Sequence, residues 1–425
     1  MLYERWLAVA NERRTETALR DLASGRCWTF QQLREAAESK SAPDQPVLFP
    51  GDDSSNFIVE VLQGWRAEKV ICPLERGQSA PQVAVPPAGC VHLKSTSATT
   101  SGAARLAAFT PAQLLADAGQ IVATMGLRPD WPNLGVISMA HSYGFSNLVL
   151  PLLLHGIPLS LPGSPLPEIM LRGAARESAF TLPAVPALWR AWHAARTIPA
   201  NLRLAICAGA PLPINIERAV FKDHGVKIHN FYGSTECGGI AYDASPTPRT
   251  DETYAGKPLR EVGVSVDARD CLTVSSQAVG ETYWPEPAES LGAGRFQTDD
   301  LAAVKPEGLY LLGRLSDQIN VAGRKVSPAT IEQTLMRNPD ISACLVFGIP
   351  EKGAGRGDSI VACVVARNPT NRRELKEFLL PRLPSWQIPR EWWFVDSLEP
   401  NHRGKLSRAE WRKRFLDEFA GTNSP

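Results

Sequence analysis

A chain of 425 residues, 44% hydrophobic and 21% charged, has ordinary globular composition and is long enough for two or more domains. Its formal net charge of +1 offers no electrostatic footprint for nucleic acid or a membrane surface. Eight cysteines, at 27, 72, 90, 207, 237, 271, 344 and 363, form no CxxC pair, which argues for reduced thiols in a cytoplasm rather than a disulfide frame or a zinc site.

Residues 1–14 contain no apolar run of secretory-leader length, and the longest apolar stretch, 148–154, is too short to span a bilayer and contains Pro151. Residues 1–40 read as helix, short strand, helix. Thr29 is an N-cap with Gln32 three residues on as its capping-box partner. Residues 47–49 and 70–74 are short buried strands, and 56–66 carry one apolar helical face. Apolar strands alternating with amphipathic helices predict a doubly wound, mainly parallel sheet.

After a Pro/Gly/Ala-rich loop at 77–90 comes HLKSTSATTSGAAR, residues 92–105. Hydroxyls and small residues between a strand and a helix suit a phosphate loop, because backbone N–H groups and hydroxyls can converge on an anion. An exposed Ser/Thr loop is an equal reading of that segment alone. Residues 111–125 form a helix. A strand at 134–139 runs into His141, Ser142 and Gly144, where open α/β sheets bind ligands. A lone His at a helix start is more commonly structural. The apolar helix 146–154 follows, with Leu148, Leu152 and Leu153 either in the core or facing an acyl group.

Strands at 179–182 and 202–207 precede Gly209-Ala210-Pro211, and helix 215–223 leads to a strand at 227–231. That strand ends in Tyr232-Gly233-Ser234-Thr235-Glu236, with Gly238 and Gly239 close behind. Thr235 can donate to a phosphate oxygen, Glu236 can hold a hard divalent ion, and Phe231 or Tyr232 offers a flat face to a base. From 255 to 312, short strands, including 280–284, read as a small antiparallel barrel, with 297–300 as an acidic turn. The segment 313–332 reads as a polar connector, with Ser327 a candidate N-cap before Pro328. A compact α+β domain follows and ends in the basic loop 400–408.

Together, Tyr232–Glu236, Gly313-Arg314 with Asp317, Gly323, and Gly404-Lys405 resemble, in order and spacing, the motifs of the adenylate-forming (AMP-binding) superfamily, which includes acyl- and aryl-CoA synthetases. The match runs from Thr29 to Arg408. It implies an α/β fold: a large N-terminal domain of doubly wound sheets with a small barrel-like subdomain, residues 1–316, and a small mobile C-terminal α+β domain, 317–425. It also implies a soluble cytoplasmic enzyme using ATP, Mg2+ and either CoA or phosphopantetheine on a small carboxylic acid, apolar acyl or aryl. An acyl carrier protein is a candidate partner.

The resemblance assigns Thr96, Ser97, Thr99, Thr100 and Arg105 to the β- and γ-phosphates. It assigns Thr235 to the α-phosphate and Glu236 to the metal. Gly209, Ala210, Pro211 and Tyr232 would flank adenine, with Asn230 at its edge. Phe231, Gly233 and Ser234 belong to the same nucleotide loop. Asp300 and Arg314 would serve the ribose, and Lys405 would bridge carboxylate and α-phosphate. His141, Ser142, Gly209 and Gly238 would line the acyl site, with His141 at its mouth. Asp317 would be the hinge and Gly323 the wall of the thiol passage.

Two departures stand out. The phosphate loop has Ala98 for the first glycine, one residue more around Ser101, Ala104 for proline and Arg105 for lysine. The acidic motif reads Thr298-Asp299-Asp300 where glycine is usual at the middle position. Three activities stay open: acid–thiol ligation, which leads because Glu236, Asp300, Arg314, Gly323 and Lys405 are all retained; nucleotide or acyl-adenylate binding without turnover; and adenylation for a non-thiol acceptor such as an amine.

Overall fold

The computed structural model describes residues 1–51, 53–81, 85–96, 105–351, 357–399 and 406–420. The chain divides into two compact units. The first comprises Met1–Ser265, Thr273–Thr298 and Val304–Tyr310; the second comprises Val266–Leu272, Asp299–Ala303 and Leu311–Pro425.

The first unit is built on two sheets. In the larger, five strands run parallel in the spatial order Ile228–Ser234, Leu202–Cys207, Phe180–Ala184, Asn133–Leu134 and Leu159–Leu161, and Thr17–Asp21 joins parallel to the last. Antiparallel strands flank this row: Gly238–Tyr242 and Tyr254–Pro258 at one side, Arg26–Thr29 at the other. Parallel strands covered on both faces are continuously apolar. Phe180–Ala184 accordingly is buried at all five positions, and Trp189, Trp192, Met170 and Val220 pack on it from neighbouring helices.

The second sheet carries the phosphate-loop segment. Val47–Leu48, Val70–Ile71 and His92–Ser95 are parallel; Leu106–Phe109 returns antiparallel to His92–Ser95, and Thr282–Trp284 pairs with Leu106–Phe109. The strand expected in the barrel at 280–284 thus belongs to this sheet instead. Its partner is more than a hundred residues away in sequence, so local patterning could not reveal it.

The capping box at Thr29 is present: Gln32 N–H donates to the Thr29 hydroxyl at 3.1 Å, and Thr29 N–H to the Gln32 side-chain Oε1 at 2.8 Å. The helices Ser55–Arg66 and Pro111–Met125 match expectation. The expected single strand before Thr29 is a hairpin, Thr17–Asp21 with Arg26–Thr29. The strand expected at 134–139 is confined to Asn133–Leu134. Leu148, Leu152 and Leu153 are fully buried, as core packing requires.

In the second unit, Asp358–Ala366 is the central strand. Ile341–Pro350 lies antiparallel on one side and Glu391–Phe394 parallel on the other. Successive side chains of a strand face opposite ways. Ile360, Ala362 and Val364 therefore share a core with Ile331, Leu335, Leu375 and Leu379 of the helices Pro328–Leu335 and Arg372–Leu379. Val361 and Cys363 pack on the other face against Trp393, Trp411 and Phe415, the last two from the helix Arg408–Ala420. The polar connector is not featureless: Ile319–Val321 and Arg324–Val326 form a hairpin turned by Ala322 and Gly323, both at positive φ. Ser327 makes no side-chain cap; its hydroxyl donates instead to the Leu312 carbonyl at 2.9 Å. The expected acidic turn at 297–300 lies within the continuous strand Arg295–Lys305.

Candidate functional site

The strand Ile228–Ser234 ends by folding back into Gly238–Tyr242, which leaves Thr235 and Glu236 at the tip. Ser142 reaches the same place from the start of the short helix Ser142–Gly144, its Oγ 3.3 Å from Thr235 Oγ1. His141, immediately before it, accepts from Tyr143 N–H through Nδ1 at 3.2 Å and so caps the short helix Ser142–Gly144. Glu236 is held from two directions. Its carbonyl accepts from Gly280 N–H at 2.8 Å, and its Oε1 accepts from the Tyr283 hydroxyl at 3.0 Å. Burial, reinforced by the Glu236 charge, raises the Tyr283 phenol well above its ordinary range, so it stays a donor at neutral pH. The Arg105 guanidinium lies 5.7 Å from the Tyr283 ring centroid, which joins the exit of the phosphate loop to the acid.

The loop's mouth is closed by Thr96, whose N–H and hydroxyl both donate to the Arg105 carbonyl at 2.9 Å. Beneath the tip lies a buried cluster. The Lys94 ammonium donates to Ser146 Oγ at 3.2 Å and is 3.6 Å from Asp117 Oδ2. Ser146 Oγ donates to Asp117 Oδ2 at 2.5 Å, and Gly239 N–H donates to Asp117 Oδ1 at 3.2 Å. Gly238 has φ +69°, and a Cβ there would collide with the Asp117 carboxylate. This position needs glycine both for its backbone conformation and for space.

On the side expected to receive adenine, Cys207 pairs in register with Asn230, and Ala208 N–H donates to Ala184 O at 3.2 Å. Gly209, Ala210 and Pro211 follow. Leu212, next in line, is gripped by Arg249, whose Nη2 donates to its carbonyl at 2.7 Å. Arg249 also donates to Glu217 through Nε at 2.8 Å and through its own N–H at 3.0 Å. Lys227 bonds Glu217 and, at 2.7 Å, Asp243. Burial works to raise the Asp243 carboxyl, but hydrogen bonds from Lys227 and Ser245 outweigh it and hold the group below its ordinary value. Asn230 is fixed by its own amide, which donates to Ala255 O at 3.3 Å, and the Phe231 ring lies 6.1 Å from that of Tyr143.

In the second unit, Arg314 Nε donates to Asp300 Oδ1 at 2.8 Å, so the two expected ribose residues meet. Asp317 accepts from Arg408 at 2.8 Å. Arg408 also forks onto both oxygens of Glu332, at 2.9 and 2.7 Å, and reaches the Val346 carbonyl at 3.1 Å. Burial raises the Glu332 carboxyl, and Arg408 opposes that shift. Gly323 has φ +84° with open space about it, so the hairpin turn is what calls for glycine there.

Ser97, Thr99, Thr100 and Lys405 lie outside the described residues. Of the others, Ser142, Thr235 and Glu236 converge, Arg105 approaches Glu236 through Tyr283, and Asp300 meets Arg314. Tyr283, Lys94, Asp117 and Arg408 were not picked out as site residues from sequence. Asp117 had left a trace, because it shares the apolar face Leu114, Ala118, Ile121 of its helix, where a charge is out of place. Among the described residues no group of three His, Cys, Asp or Glu forms a closed metal cage. A single carboxylate beside hydroxyls suits a hard cation that completes its shell with phosphate and water.

The AMP-binding enzyme family matches residues 75–288, and the AMP-binding enzyme C-terminal domain matches 330–405. The feruloyl-CoA synthase of an Amycolatopsis species is 28% identical over 346 residues, 76% of this chain and 69% of that protein. Among solved structures, ATP-bound MatB from Rhodopseudomonas palustris superposes with a TM-score of 0.84 at 19% identity, covering 98% of this chain and 99% of that one. The O-succinylbenzoate coenzyme A synthetase from Bacillus subtilis, in complex with AMP, gives 0.82 at 19%, covering 96% and 97%.

Proposed function

The chain belongs to the AMP-binding, adenylate-forming enzyme family, and from that premise we propose that it is an ATP-dependent carboxylate–thiol ligase. In the first step a carboxylate oxygen attacks the α-phosphorus of ATP and pyrophosphate leaves. In the second a pantetheine thiol, of CoA or of a carrier protein, attacks the acyl carbon and AMP leaves. The observation that carries the reading is the meeting of Ser142, Thr235 and the Tyr283-held Glu236 at one strand end.

Aligning two anions requires neutralised charge and fixed donors. Thr235 donates to the α-phosphate. Ser97, Thr99, Thr100 and Arg105 serve the outer phosphates, while Thr96 bonds the Arg105 carbonyl. Gly209, Ala210, Pro211 and Tyr232 flank adenine, Asn230 meets its edge, and Asp300, oriented by Arg314, accepts from the ribose hydroxyls. Mg2+ fits Glu236 and, once bound, supplies charge neutralisation at the phosphates. Lys405 bridges the carboxylate and the α-phosphate. Residues 317–425 act as a mobile domain pivoting at Asp317, and Gly323 lines the pantetheine passage. The substrate is an apolar acyl or aryl acid, in keeping with relatives such as the feruloyl-CoA synthase, and the setting is cytoplasmic.

Pyrophosphate release across fatty, aromatic and amino acids, with and without CoA, tests the reading. Release that requires one acid class, followed by a thioester when CoA is present, is expected. AMP formation in the presence of an amine but not a thiol would move the chain to the amide-forming class, and no turnover with retained nucleotide binding would make it a binding homologue. Lys405→Ala should cut carboxylate-dependent ATP–pyrophosphate exchange by about a hundredfold or more. Thiol transfer from supplied acyl-adenylate should persist; exchange at the wild-type rate would remove the lysine from the mechanism.

A further inference from the structure

We infer that Lys94 and Asp117, buried and outside the substrate contacts assigned above, are positioning residues for the triphosphate half of the nucleotide site. Each is a charge with its side chain in the interior. Lys94 lies between Leu93 and the phosphate loop, and Asp117 is on the apolar face of Pro111–Met125; both side chains are only 3% exposed. A buried ion pair is seldom the best way to stabilise a core, because apolar side chains of equal volume do as well or better. What the pair does here is join three segments that each carry site residues.

The path is continuous. The Lys94 ammonium sits over the Phe109 ring at 4.6 Å and donates to Ser146, Ser146 donates to Asp117, and Asp117 accepts from Gly239 N–H. Lys94 is two residues before Thr96, the clasp of the phosphate loop. Ser146 is four residues after Ser142. Gly239 is three residues after Glu236. Thr96 at the start of the phosphate loop, the Ser142 helix start and the Thr235–Glu236 tip are thus registered against one another by one charged group of atoms.

The charges face each other and away from solvent, so they act by fixing segments rather than by touching nucleotide. ATP spans the phosphate loop and the Thr235–Glu236 tip, whereas AMP, lacking the outer phosphates, needs only the tip. Loosened registry should therefore weaken ATP far more than AMP.

The inference rests on the ligase reading, and calorimetric titration of the full chain with MgATP and with AMP tests it. Lys94→Met should weaken ATP by about tenfold while AMP stays within about twofold, since a lost charged hydrogen bond is of that size. Asp117→Asn should shift the ratio the same way, and Lys94→Arg, which keeps the cation, should return it toward wild type. If Asp117→Asn does not fold, the Lys94 pair of variants decides alone. Equal loss for both nucleotides, or an unmoved ratio in folded variants, overturns the inference. A wild-type chain that binds neither nucleotide overturns the ligase reading and this inference with it, whereas normal wild-type binding with an unmoved ratio overturns this one alone.

Discussion

Two buried charge clusters underlie the nucleotide side of the first unit, and they are compensated differently. Lys227, Glu217, Arg249 and Asp243 contribute two cations and two anions, bonded to one another and to the carbonyls of Leu212, Ile228 and Tyr254. Lys94 and Asp117 contribute one of each, 3.6 Å apart, with a serine hydroxyl between them. The larger network pairs its charges directly with one another and behaves as scaffold. The smaller one depends on a neutral go-between carried by a third segment, so its geometry is tied to where that segment lies. Burial alone does not separate the two roles; direct pairing in one and a serine between the charges in the other do.

Breaking the larger network should have the largest effect. Glu217→Gln leaves two buried cations without their shared carboxylate and should cost about 3–5 kcal/mol, read as a lower denaturant midpoint. ATP and AMP affinity should fall together in that variant, because the segment displaced is the one after Gly209–Pro211. A shift confined to ATP would erase the contrast between the clusters.

A smaller effect tests the surroundings of the Lys94 cluster. His92, fully buried on the strand of Lys94, has its ring tilted 4.2 Å from that of Phe145, and among the described residues neither ring nitrogen has a hydrogen-bond partner. Burial, and then the Lys94 charge, push its pKa well below the ordinary 6.5. The folded chain then binds fewer protons than the unfolded one, so stability is full above about pH 6.5 and is lost as pH falls below it. Thermal scans between pH 7.5 and 5 should show that decline, and His92→Leu should flatten it. An unchanged slope in the variant would place the acid sensitivity elsewhere, with His155 and His229 next in line, both also lowered by burial.

The smallest effect is expected in the second unit, where Arg408 and Asp317 are about a quarter exposed. A solvent-screened pair contributes little, so Asp317→Asn should cost about 1 kcal/mol or less. Its consequence should appear in the balance of the two half-reactions, measured as exchange against thioester formation. Equal rates for both steps in wild type and variant would leave Asp317 as ordinary surface pairing.

What was legible in the sequence was local. Thr29 with Gln32, the apolar period of 111–125 and the apolar run 202–207 each specify an element through neighbours in the chain, and each has its expected bounds within a residue or two. The order of Tyr232–Glu236, Gly313-Arg314 with Asp317, Gly323 and Gly404-Lys405 identified the family because its motifs are short and contiguous. Partners across the fold were not legible. Thr282–Trp284 looks like any short strand until Leu106–Phe109 claims it, and nothing near Glu236 announces Tyr283. Asp300 looked like part of a turn because Thr298-Asp299-Asp300 is polar, yet a strand with one solvated face accepts such a run. The hairpin at Ile319–Val326 escaped notice because its strands are three residues each and its turn uses Ala322 where Asn or Asp would have been the usual signal.

The segment Phe145–Val149 is wound as a π-helix, closed by a bond from Leu150 N–H to the Phe145 carbonyl. Such a turn holds more residues than an α-turn. Its interior faces include Ser146 and Asn147, both buried, and Asn147 is bonded in turn by Asn133. The wide turn therefore acts as a phase shifter. It lets Ser142 point at the site and Leu150–His155 point at the core, although a uniform α-helix could not satisfy both. The length of this stretch is consequently as constrained as its composition: tolerated substitutions should outnumber tolerated deletions there, and a chain that drifts in sequence at 145–149 must still keep count.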